Sequence, residues 1–498
     1  MRKTSSDIHQ VIQKLSKEEK RKVTIHIKAL GKKGMEHLRL FKAIAKQEAY
    51  NEEALKKSFR RMSLSVEKRR LYDLIMETLV QFHKTADIQQ ELLTGLQHFQ
   101  LLFKKELYEQ ARSEIFRLKK LAEQHELLHF IQLINAQVIK LENTVFLFAN
   151  YTDDSFDNFT NNLKQHKNQL SNLMDYRLLK IQLDHSFRKM VIAPEYAEKI
   201  EQIMENPLLQ SIDNAKSKAA KLCFYDMHLF YNFLKTDYPK SLYYSLKSLS
   251  LFEQHFKIIC PPEKYMNYLQ NAVTTATFLR KANLISELFQ KIEQNNLLIK
   301  YRRTAFKLKT LEMKANWYIL LGDVKGGMQL IEDHIDWLSQ LPTETNSIYY
   351  CFASICYMAQ DYEQALTFIE IILDKDKNKQ HIKLKHIASL FKLYIYFDLD
   401  NSSLLESWQR SIYRKFYPDK GNHRVELIII NAFKHLLNAS PKEQITVFKN
   451  LQETLIDFHK TATANELRII KLSSIMMWLE SKLSGKTIPE LLQREIKE

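Results

Sequence analysis

Glycine and proline are scarce in this chain, which has only 8 Gly and 9 Pro among its 498 residues. Average usage would give roughly 35 Gly and 25 Pro at this length. Sheets with tight hairpins need glycine for positive φ angles, and proline or asparagine for their turns. The scarcity therefore favours long helices joined by short links, and the length of the chain predicts more than one domain.

Positive charge is concentrated near the start of the chain. Residues 1–70 contain 20 Lys and Arg against 8 Asp and Glu, a net charge of +12, whereas the whole chain carries +16. Residues 1–85 are predicted to form a basic helical N-terminal domain, in which Ser16 with Glu19 has capping-box spacing and Asn51 opens a further helix. A patch for nucleic acid or an acidic partner is predicted at Lys56, Lys57, Arg60, Arg61, Lys68, Arg69 and Arg70.

Residues with good helix-capping side chains recur at a near-constant interval in the rest of the chain. They are separated by 46, 40, 38, 40 and 39 residues, which leaves room for two helices in each interval. A lone helix pair cannot bury its apolar face, so neighbouring pairs must stack. The predicted caps are Asp237, Asn283, Asp323, Asp361, Asn401 and Ser440.

Several segments resemble tetratricopeptide (TPR) repeats, in which small residues face each other across a helix–turn–helix. Ala353 with Tyr362-Glu363-Gln364-Ala365 fits that pattern, and Tyr108-Glu109-Gln110-Ala111 fits its second half. The intervals are longer than a TPR unit, and most of its tryptophan and leucine-glycine positions are absent. The resemblance implies an all-α fold, in which residues 86–498 form a right-handed superhelical α-solenoid of roughly nine antiparallel helix pairs with a C-terminal capping helix. Residues 1–85 resemble an uncharacterised bacterial family, a resemblance that implies no function.

TPR-like stacks hold peptides in a groove lined by the first helix of each pair, so the resemblance implies a non-enzymatic interaction or scaffold protein. Cations beside aromatic side chains suit an acidic peptide or a C-terminal carboxylate. An alternative from the N-terminal charge is a nucleic-acid-associated regulator with a TPR-like sensor domain. The groove residues predicted to contact a protein or peptide are Lys218, Lys221, Tyr225, His228, Arg302, Arg303, Lys307, Lys383, Lys385 and Lys392.

The segment His125-Glu126-Leu127-Leu128-His129 matches the HExxH pattern of zinc metallopeptidases. On one helix the two histidines would share a face and bind zinc, while Glu126 would activate a metal-bound water. The third ligand is missing, because Asn135 stands where the metzincin pattern needs His, and after Glu142 the next Glu is Glu195. We therefore expect no metal or other cofactor, and expect the histidines to lie at a link between helices. A zinc metallopeptidase that uses His125, Glu126 and His129 is a second alternative function.

The four cysteines are too few for a disulfide framework and suit a reducing compartment. The chain starts without the apolar segment of a signal peptide, and no run approaches the ~18 apolar residues that cross a bilayer. These features predict a cytoplasmic protein without a membrane partner.

Overall fold

The computed structural model describes residues 7–59, 63–82, 88–145, 152–190, 195–256, 260, 262–294, 304–341, 345–374 and 382–497. Across these residues all regular structure is helical and no strand is present, which confirms the predicted all-α class. None of the described helices is both long and apolar enough to cross a membrane.

The described residues form 25 α-helices, with short 3₁₀ turns at Pro207–Leu209, Ile212–Asn214 and Tyr417–Asp419. The α-helices are α1 (Asp7–Lys14), α2 (Lys17–Ala29), α3 (Lys32–Ala45), α4 (Glu52–Ser58), α5 (Leu64–Phe82), α6 (Ile88–Lys104), α7 (Tyr108–Gln124), α8 (Leu128–Val145), α9 (Asp153–Met190), α10 (Tyr196–Met204), α11 (Lys218–Leu234), α12 (Tyr238–His255), α13 (Pro262–Phe278), α14 (Ala282–Glu293), α15 (Thr304–Leu321), α16 (Val324–Ser339), α17 (Asn346–Met358), α18 (Tyr362–Asp374), α19 (Ile382–Asp398), α20 (Ser402–Phe416), α21 (Arg424–Leu436), α22 (Pro441–Phe458), α23 (Ala464–Leu472), α24 (Ile475–Ser484) and α25 (Ile488–Lys497).

The chain divides into two compact units, Met1–Leu170 and Ser171–Glu498, with the division inside α9. Within the first unit, apolar side chains of α1 to α5 close a core of their own that includes Ile12, Ile27 and Ile75. A domain boundary near residue 85 remains a prediction, although this core draws its buried residues only from the first 75 positions.

Two helix starts in this first block form as their sequences predict. Ser16 accepts a hydrogen bond from the Glu19 N–H at 3.2 Å, and the Glu19 carboxylate accepts one from the Ser16 N–H at 2.7 Å. The Asn51 side chain accepts from the Ala54 N–H at 3.0 Å. Both arrangements satisfy backbone N–H groups that have no partner within the helix, which explains why α2 and α4 begin where they do.

Among the described residues, seven links between successive helices have the same backbone geometry. In each link, one residue adopts a left-handed conformation, and the N–H of the next residue donates to the carbonyl five positions earlier, at 2.9–3.1 Å. This is the hydrogen bond that closes a Schellman-type helix end. From Thr236 onward the left-handed residues are 44, 42, 38 and 40 positions apart. The left-handed residues of these seven links are Glu106, Glu126, Thr236, Arg280, Gly322, Gln360 and Asp400.

Most of the predicted caps of the second unit are confirmed. Asp237, Asp323, Asp361 and Asn401 each directly follow a left-handed residue, and each accepts a hydrogen bond from the N–H three positions later at 3.0–3.2 Å. Ser440 donates its N–H to the Glu443 carboxylate at 2.7 Å in a capping box. The recurring interval read from the sequence therefore marks real helix starts.

The predicted cap at Asn283 is wrong. Helix α14 begins at Ala282, so Asn283 lies inside its first turn and Lys281 occupies the cap position without a side-chain hydrogen bond. The preceding Arg280 has a φ of 52°, and the Lys281 N–H donates to the Ala276 carbonyl at 3.0 Å. The backbone turn is therefore the same as at the capped links, even though this link lacks a capping side chain.

In the second unit, successive helices pack together within the run α11 to α14 and within the run α15 to α22. Alternate helices also pack together, α13 with α15, α15 with α17, α17 with α19, and α19 with α21. Close packing depends on small residues, since Ala353 and Ala365 are fully buried and a side chain at Gly327 would meet Ile355 at 2.8 Å. The four alternate helices from α15 to α21 share one apolar core, with Phe352, Tyr394 and Phe433 among its largest buried side chains.

The last three helices return to earlier parts of this unit. The Trp478 ring of α24 stacks on Tyr394, with ring centroids 5.2 Å apart. In α23 the Lys471 ammonium lies 4.0 Å from the centroid of the Phe278 ring, and in α25 the Gln493 amide donates to the Gly322 carbonyl at 3.2 Å. The C-terminal helices thus contact links and helix ends that precede them by many residues.

Candidate partner-binding surface

Four of the residues predicted to bind a partner lie on α11. Ser217 caps this helix by accepting from the Ala220 N–H at 3.1 Å. Lys218 and Lys221 follow in the first turn, with Lys218 half-buried and Lys221 exposed. Lys221, Tyr225 and His228 recur at helical spacing and therefore share one face of the helix.

Helix α12 brings a second set of aromatic side chains to this face. The Tyr244 ring lies 6.3 Å from the ring of Tyr225 and stacks on His228 at 4.9 Å between centroids. Tyr243 is 55% exposed, and the Lys247 ammonium lies 5.5 Å from the centroid of its ring. We call these five side chains the tyrosine–lysine surface: Lys221, Tyr225, Tyr243, Tyr244 and Lys247.

Two tyrosine hydroxyls of this surface have raised pKa values, so they are neutral and can donate hydrogen bonds. Burial, followed by the neighbouring tyrosines, raises the pKa of Tyr225 and of Tyr244 above the ordinary value. Burial lowers the pKa of His228, whose Nε2 lies 3.0 Å from the Leu209 carbonyl oxygen. His228 is therefore a neutral imidazole that donates to this carbonyl and packs beneath Tyr244, so its contacts are within the protein.

A buried polar network holds the two helices behind this surface. Asp226 of α11 accepts hydrogen bonds from the Ser248 hydroxyl at 3.2 Å and from the Tyr268 hydroxyl at 3.3 Å, and it pairs with Lys180. Burial, followed by the Asp226 charge, raises the pKa of Tyr268. Because donors from α9, α12 and α13 meet at one carboxylate of α11, the registers of these helices are held together.

The other predicted groove residues lie on α15 and α19 or outside the described residues. Arg302 and Arg303 fall outside them, whereas Lys307 of α15 is exposed and lies 5.5 Å from the centroid of the Trp337 ring. The predicted set is thus distributed over three separate helices, α11, α15 and α19.

The lysines of α19 differ in their exposure. Lys383 and Lys385 are half-buried, and Lys385 donates to the Leu373 carbonyl at 3.4 Å. Lys392 is buried: its ammonium pairs with the Glu370 carboxylate at 3.2 Å and lies 4.6 Å from the centroid of the Trp408 ring. Its charge is therefore compensated inside the protein.

In the N-terminal patch, Arg60 and Arg61 lie outside the described residues. Lys68 is buried and donates to the Tyr50 hydroxyl at 2.9 Å and to the Glu52 carboxylate at 3.1 Å.

The exposed members of the patch are Lys56, Lys57, Arg69 and Arg70. Lys56 pairs with Glu53 at 2.8 Å, and Arg70 pairs with Glu67 at 2.7 Å. Exposed pairs of this kind are weak, so these two cations remain accessible to a competing anion.

The HExxH segment does not lie on one helix. His125 ends α7, Glu126 adopts a left-handed conformation with a φ of 49°, and His129 lies in the first turn of α8. A zinc peptidase needs the two histidines one turn apart on the same continuous helix. The motif therefore coincides with one of the seven repeated links, as the sequence predicts for histidines at a link.

A cleft of about 280 Å³ lies where the link at Gln360 meets the residues that join α24 to α25. Asp398 lines it and accepts hydrogen bonds from Tyr357 and from the Trp478 indole N–H at 3.3 Å, and its other oxygen pairs with the Lys482 ammonium at 2.5 Å. Burial, followed by the Asp398 charge, holds the pKa of Tyr357 well above its ordinary value. These contacts fasten the C-terminal helices to the repeated helices.

The sequence reading missed Tyr243, Tyr244 and Lys247. The sequence feature that could have identified them is the spacing of Tyr243 and Lys247, which are four positions apart and therefore share a helix face. No family model, curated protein or solved structure matches this chain.

Proposed function

We propose that this chain is a non-enzymatic interaction protein, in which TPR-like helix pairs stack into a right-handed superhelix and hold a protein or peptide partner. The observation that carries the proposal is the seven-fold repetition of one link geometry. It is supported by the packing of alternate helices from α13 to α21, which is the neighbour-to-neighbour contact of a stacked array. In such an array the pairs are antiparallel, because short links return the chain alongside the preceding helix.

We place the partner contact at the tyrosine–lysine surface and assign it an acidic peptide. Tyrosine gives a large contact area with little conformational entropy to lose, and it is enriched among residues that dominate binding energies. Lys221 and Lys247 are exposed beside these rings and supply charge for carboxylates. The buried network at Asp226 supports this surface from behind, so little ordering would be needed on binding.

The test is fluorescence anisotropy with a fluorescein-labelled dodecapeptide of alternating Glu and Leu, compared with its Lys and Leu counterpart. We expect saturable binding of the acidic peptide only. The double variant Tyr243→Ala/Lys247→Ala should weaken binding by about tenfold or more, since about 1.4 kcal/mol corresponds to a factor of ten.

The matched control is Ile445→Ala/Lys449→Ala, which removes an exposed apolar residue and an exposed lysine four positions apart on α22. It should leave the affinity within about twofold, as expected for side chains outside the contact. Equal losses in both double variants, or the absence of binding by the acidic peptide, would reject the proposed surface.

A second function, nucleic-acid association through the N-terminal block, is favoured by the +12 charge of residues 1–70 and by the exposure of Lys57 and Arg69. Phosphate contacts are strongest at low salt, so the full chain should bind labelled DNA or RNA 20-mers at ~50 mM salt and release them as salt rises. Lys57→Glu/Arg69→Glu should weaken this binding more than the charge-matched Lys442→Glu/Lys449→Glu. Absence of binding at ~50 mM salt removes this function.

A further inference from the structure

Two histidines and a glutamate meet where α19 packs beside α21. His386 lies on α19, His423 immediately precedes α21, and Glu426 lies in the first turn of α21. The Nδ1 atom of His386 is 3.4 Å from Glu426 Oε1, and the Nδ1 atom of His423 is 3.1 Å from the same oxygen. One nitrogen from each imidazole and one carboxylate oxygen all lie within 4.8 Å of one another.

These separations suit a shared divalent cation. Zinc binds imidazole nitrogen and carboxylate oxygen at about 2.0–2.2 Å, so two ligands at a tetrahedral angle lie roughly 3.4 Å apart. Both nitrogen-to-oxygen distances are close to this value, and the two nitrogens lie within 4.8 Å of each other, so a small movement of the imidazoles would complete the geometry. Imidazole and carboxylate are also the donor types that zinc and its neighbours in the first transition row prefer.

A second, independent observation is the other carboxylate oxygen. The Glu426 side chain is only 1% exposed, and its Oε2 is buried without a hydrogen-bond partner. Both imidazoles donate to Oε1, so Oε2 has lost its water contacts on burial without gaining a hydrogen bond within the protein. A cation between the three side chains could take one or both carboxylate oxygens and would compensate for this burial.

An aromatic ring packs against both histidines, and the site admits solvent from one side. Phe416 packs edge-on against the His386 ring at 4.7 Å and lies 4.8 Å from the His423 ring. The histidine side chains retain exposures of 12% and 19%, which leaves a path for an ion and a water ligand.

We propose that His386, His423 and Glu426 bind one Zn²⁺ ion through three protein ligands, with a water molecule as the fourth. The ion would connect α19 to the start of α21 and hold the link before α21 in place. This site is separate from the HExxH segment and from the tyrosine–lysine surface.

The test is calorimetric titration of the chelator-treated full chain with ZnCl₂. We expect one equivalent to bind, and His386→Ala or His423→Ala to weaken that binding by at least about 100-fold, since even residues that only support a ligand contribute 10–100-fold. His435→Ala is the matched control, because His435 lies exposed near the end of the same helix α21, and it should bind Zn²⁺ as the unaltered chain does.

Two measurements on the unaltered chain keep the proposal testable if a variant fails to fold. Co²⁺ should give the visible bands of tetrahedral nitrogen and oxygen ligation without the near-ultraviolet charge transfer of thiolates, and Zn²⁺ should raise the melting temperature saturably. Absence of binding, a thiolate signature, or loss of binding in His129→Ala but not in His423→Ala would each overturn the proposal.

Discussion

The carboxylate of Asp398 is almost fully buried, with 3% of its side chain exposed, and groups from two distant parts of the chain converge on it. Tyr357 donates to it from α17, and Trp478 and Lys482 approach from α24. Removing one partner of a buried ion pair leaves the other charge uncompensated, whereas removing an exposed pair changes little. The stability of the second unit should therefore depend strongly on this one side chain.

Asp398→Asn should lower the free energy of unfolding by about 2–4 kcal/mol, because the Lys482 ammonium, whose side chain is 27% exposed, would lose its counter-charge and the Tyr357 hydroxyl would lose a charged acceptor. The measurement is urea denaturation followed by tryptophan fluorescence. Asp457→Asn is the control: Asp457 pairs with Lys460 at 2.9 Å with both side chains 75% exposed, and its loss should cost at most about 1 kcal/mol. Similar effects of the two substitutions would show that the Asp398 contacts contribute little.

His228 should make the stability of the second unit depend on pH. Its pKa is lowered by burial, so below the ordinary value of about 6.5 the unfolded chain binds a proton that the folded chain resists. The stabilisation is present above that pH and is lost as the pH falls toward the folded pKa. Unfolding by urea at pH 7.5 and 5.5 should show a larger loss for the unaltered chain than for His228→Gln, and equal losses would contradict this assignment.

For single residues, the sequence predicts which face of a helix a side chain occupies but not whether that face is buried. Lys68 and Lys392 read as members of charged helix faces, yet both are buried and paired, with Glu52 and Glu370 respectively. Helical spacing places a residue on a face, but whether that face meets solvent depends on helices far away in the chain. The cluster at Glu426 was missed for the same reason, since His386 and His423 come from different helices.

At the scale of secondary-structure elements, the repeated links between helices are defined by one left-handed residue each. At the seven repeated links of the described chain, six of the left-handed residues are not glycine, although a left-handed conformation costs such residues roughly 1–2 kcal/mol. The exception is Gly322, with a φ of 62°, where an added Cβ would lie 2.8 Å from the Pro489 carbonyl oxygen. At this link glycine is needed both for the backbone conformation and for the close approach of α25.

Gly322→Ala should destabilise the second unit by about 1–3 kcal/mol, through the left-handed strain and the displacement of Pro489. Gly421→Ala is the control, because that position has no positive φ and a Cβ there would meet no heavy atom within 4 Å. Thermal melting of both variants checks the prediction. A melting temperature for Gly322→Ala equal to that of Gly421→Ala would mean that α25 contributes nothing at this link.

Helix starts were predictable where the signal is local. Asp237, Asp323 and Asn401 cap because an acceptor three residues from a backbone N–H is a short-range geometry. The predicted cap at Asn283 is wrong because the link at Arg280 forms without a capping side chain. A capping residue type near this link therefore did not mark the helix start. Five of the seven left-handed link residues were not predictable, since Glu, Thr, Arg and Gln are not turn-forming residue types.

At the scale of the whole molecule, all four tryptophans lie in the second unit, at Trp317, Trp337, Trp408 and Trp478. Tryptophan fluorescence therefore reports only that unit, whereas far-ultraviolet circular dichroism reports the helices of both.

We expect the two units to unfold as separate cooperative units, because each is compact on its own. Thermal or urea unfolding should then give two transitions by circular dichroism, of which only one coincides with the change in tryptophan fluorescence. A single transition shared by both probes would contradict independent unfolding.

The repeating interval predicted the stacked middle of the chain but not the return of its last helices. The contacts of Lys471 with Phe278 and of Gln493 with Gly322 join residues far apart in sequence, and such contacts produce no repeating pattern in the sequence. A short motif or a recurring spacing cannot encode them, because they depend on the summed geometry of all intervening helices.

The return of α24 has a consequence for the order in which the protein matures during translation. The rings of Tyr394 and Phe433 emerge from the ribosome before Trp478, the side chain that covers them, has been made. Until then Asp398 also lacks Lys482 and the indole, so the nascent chain displays an uncovered aromatic patch and an unneutralised carboxylate. The emergence of residue 482 from the ribosome is thus the closing step, and nascent chains held before it expose the kind of apolar surface that chaperones bind.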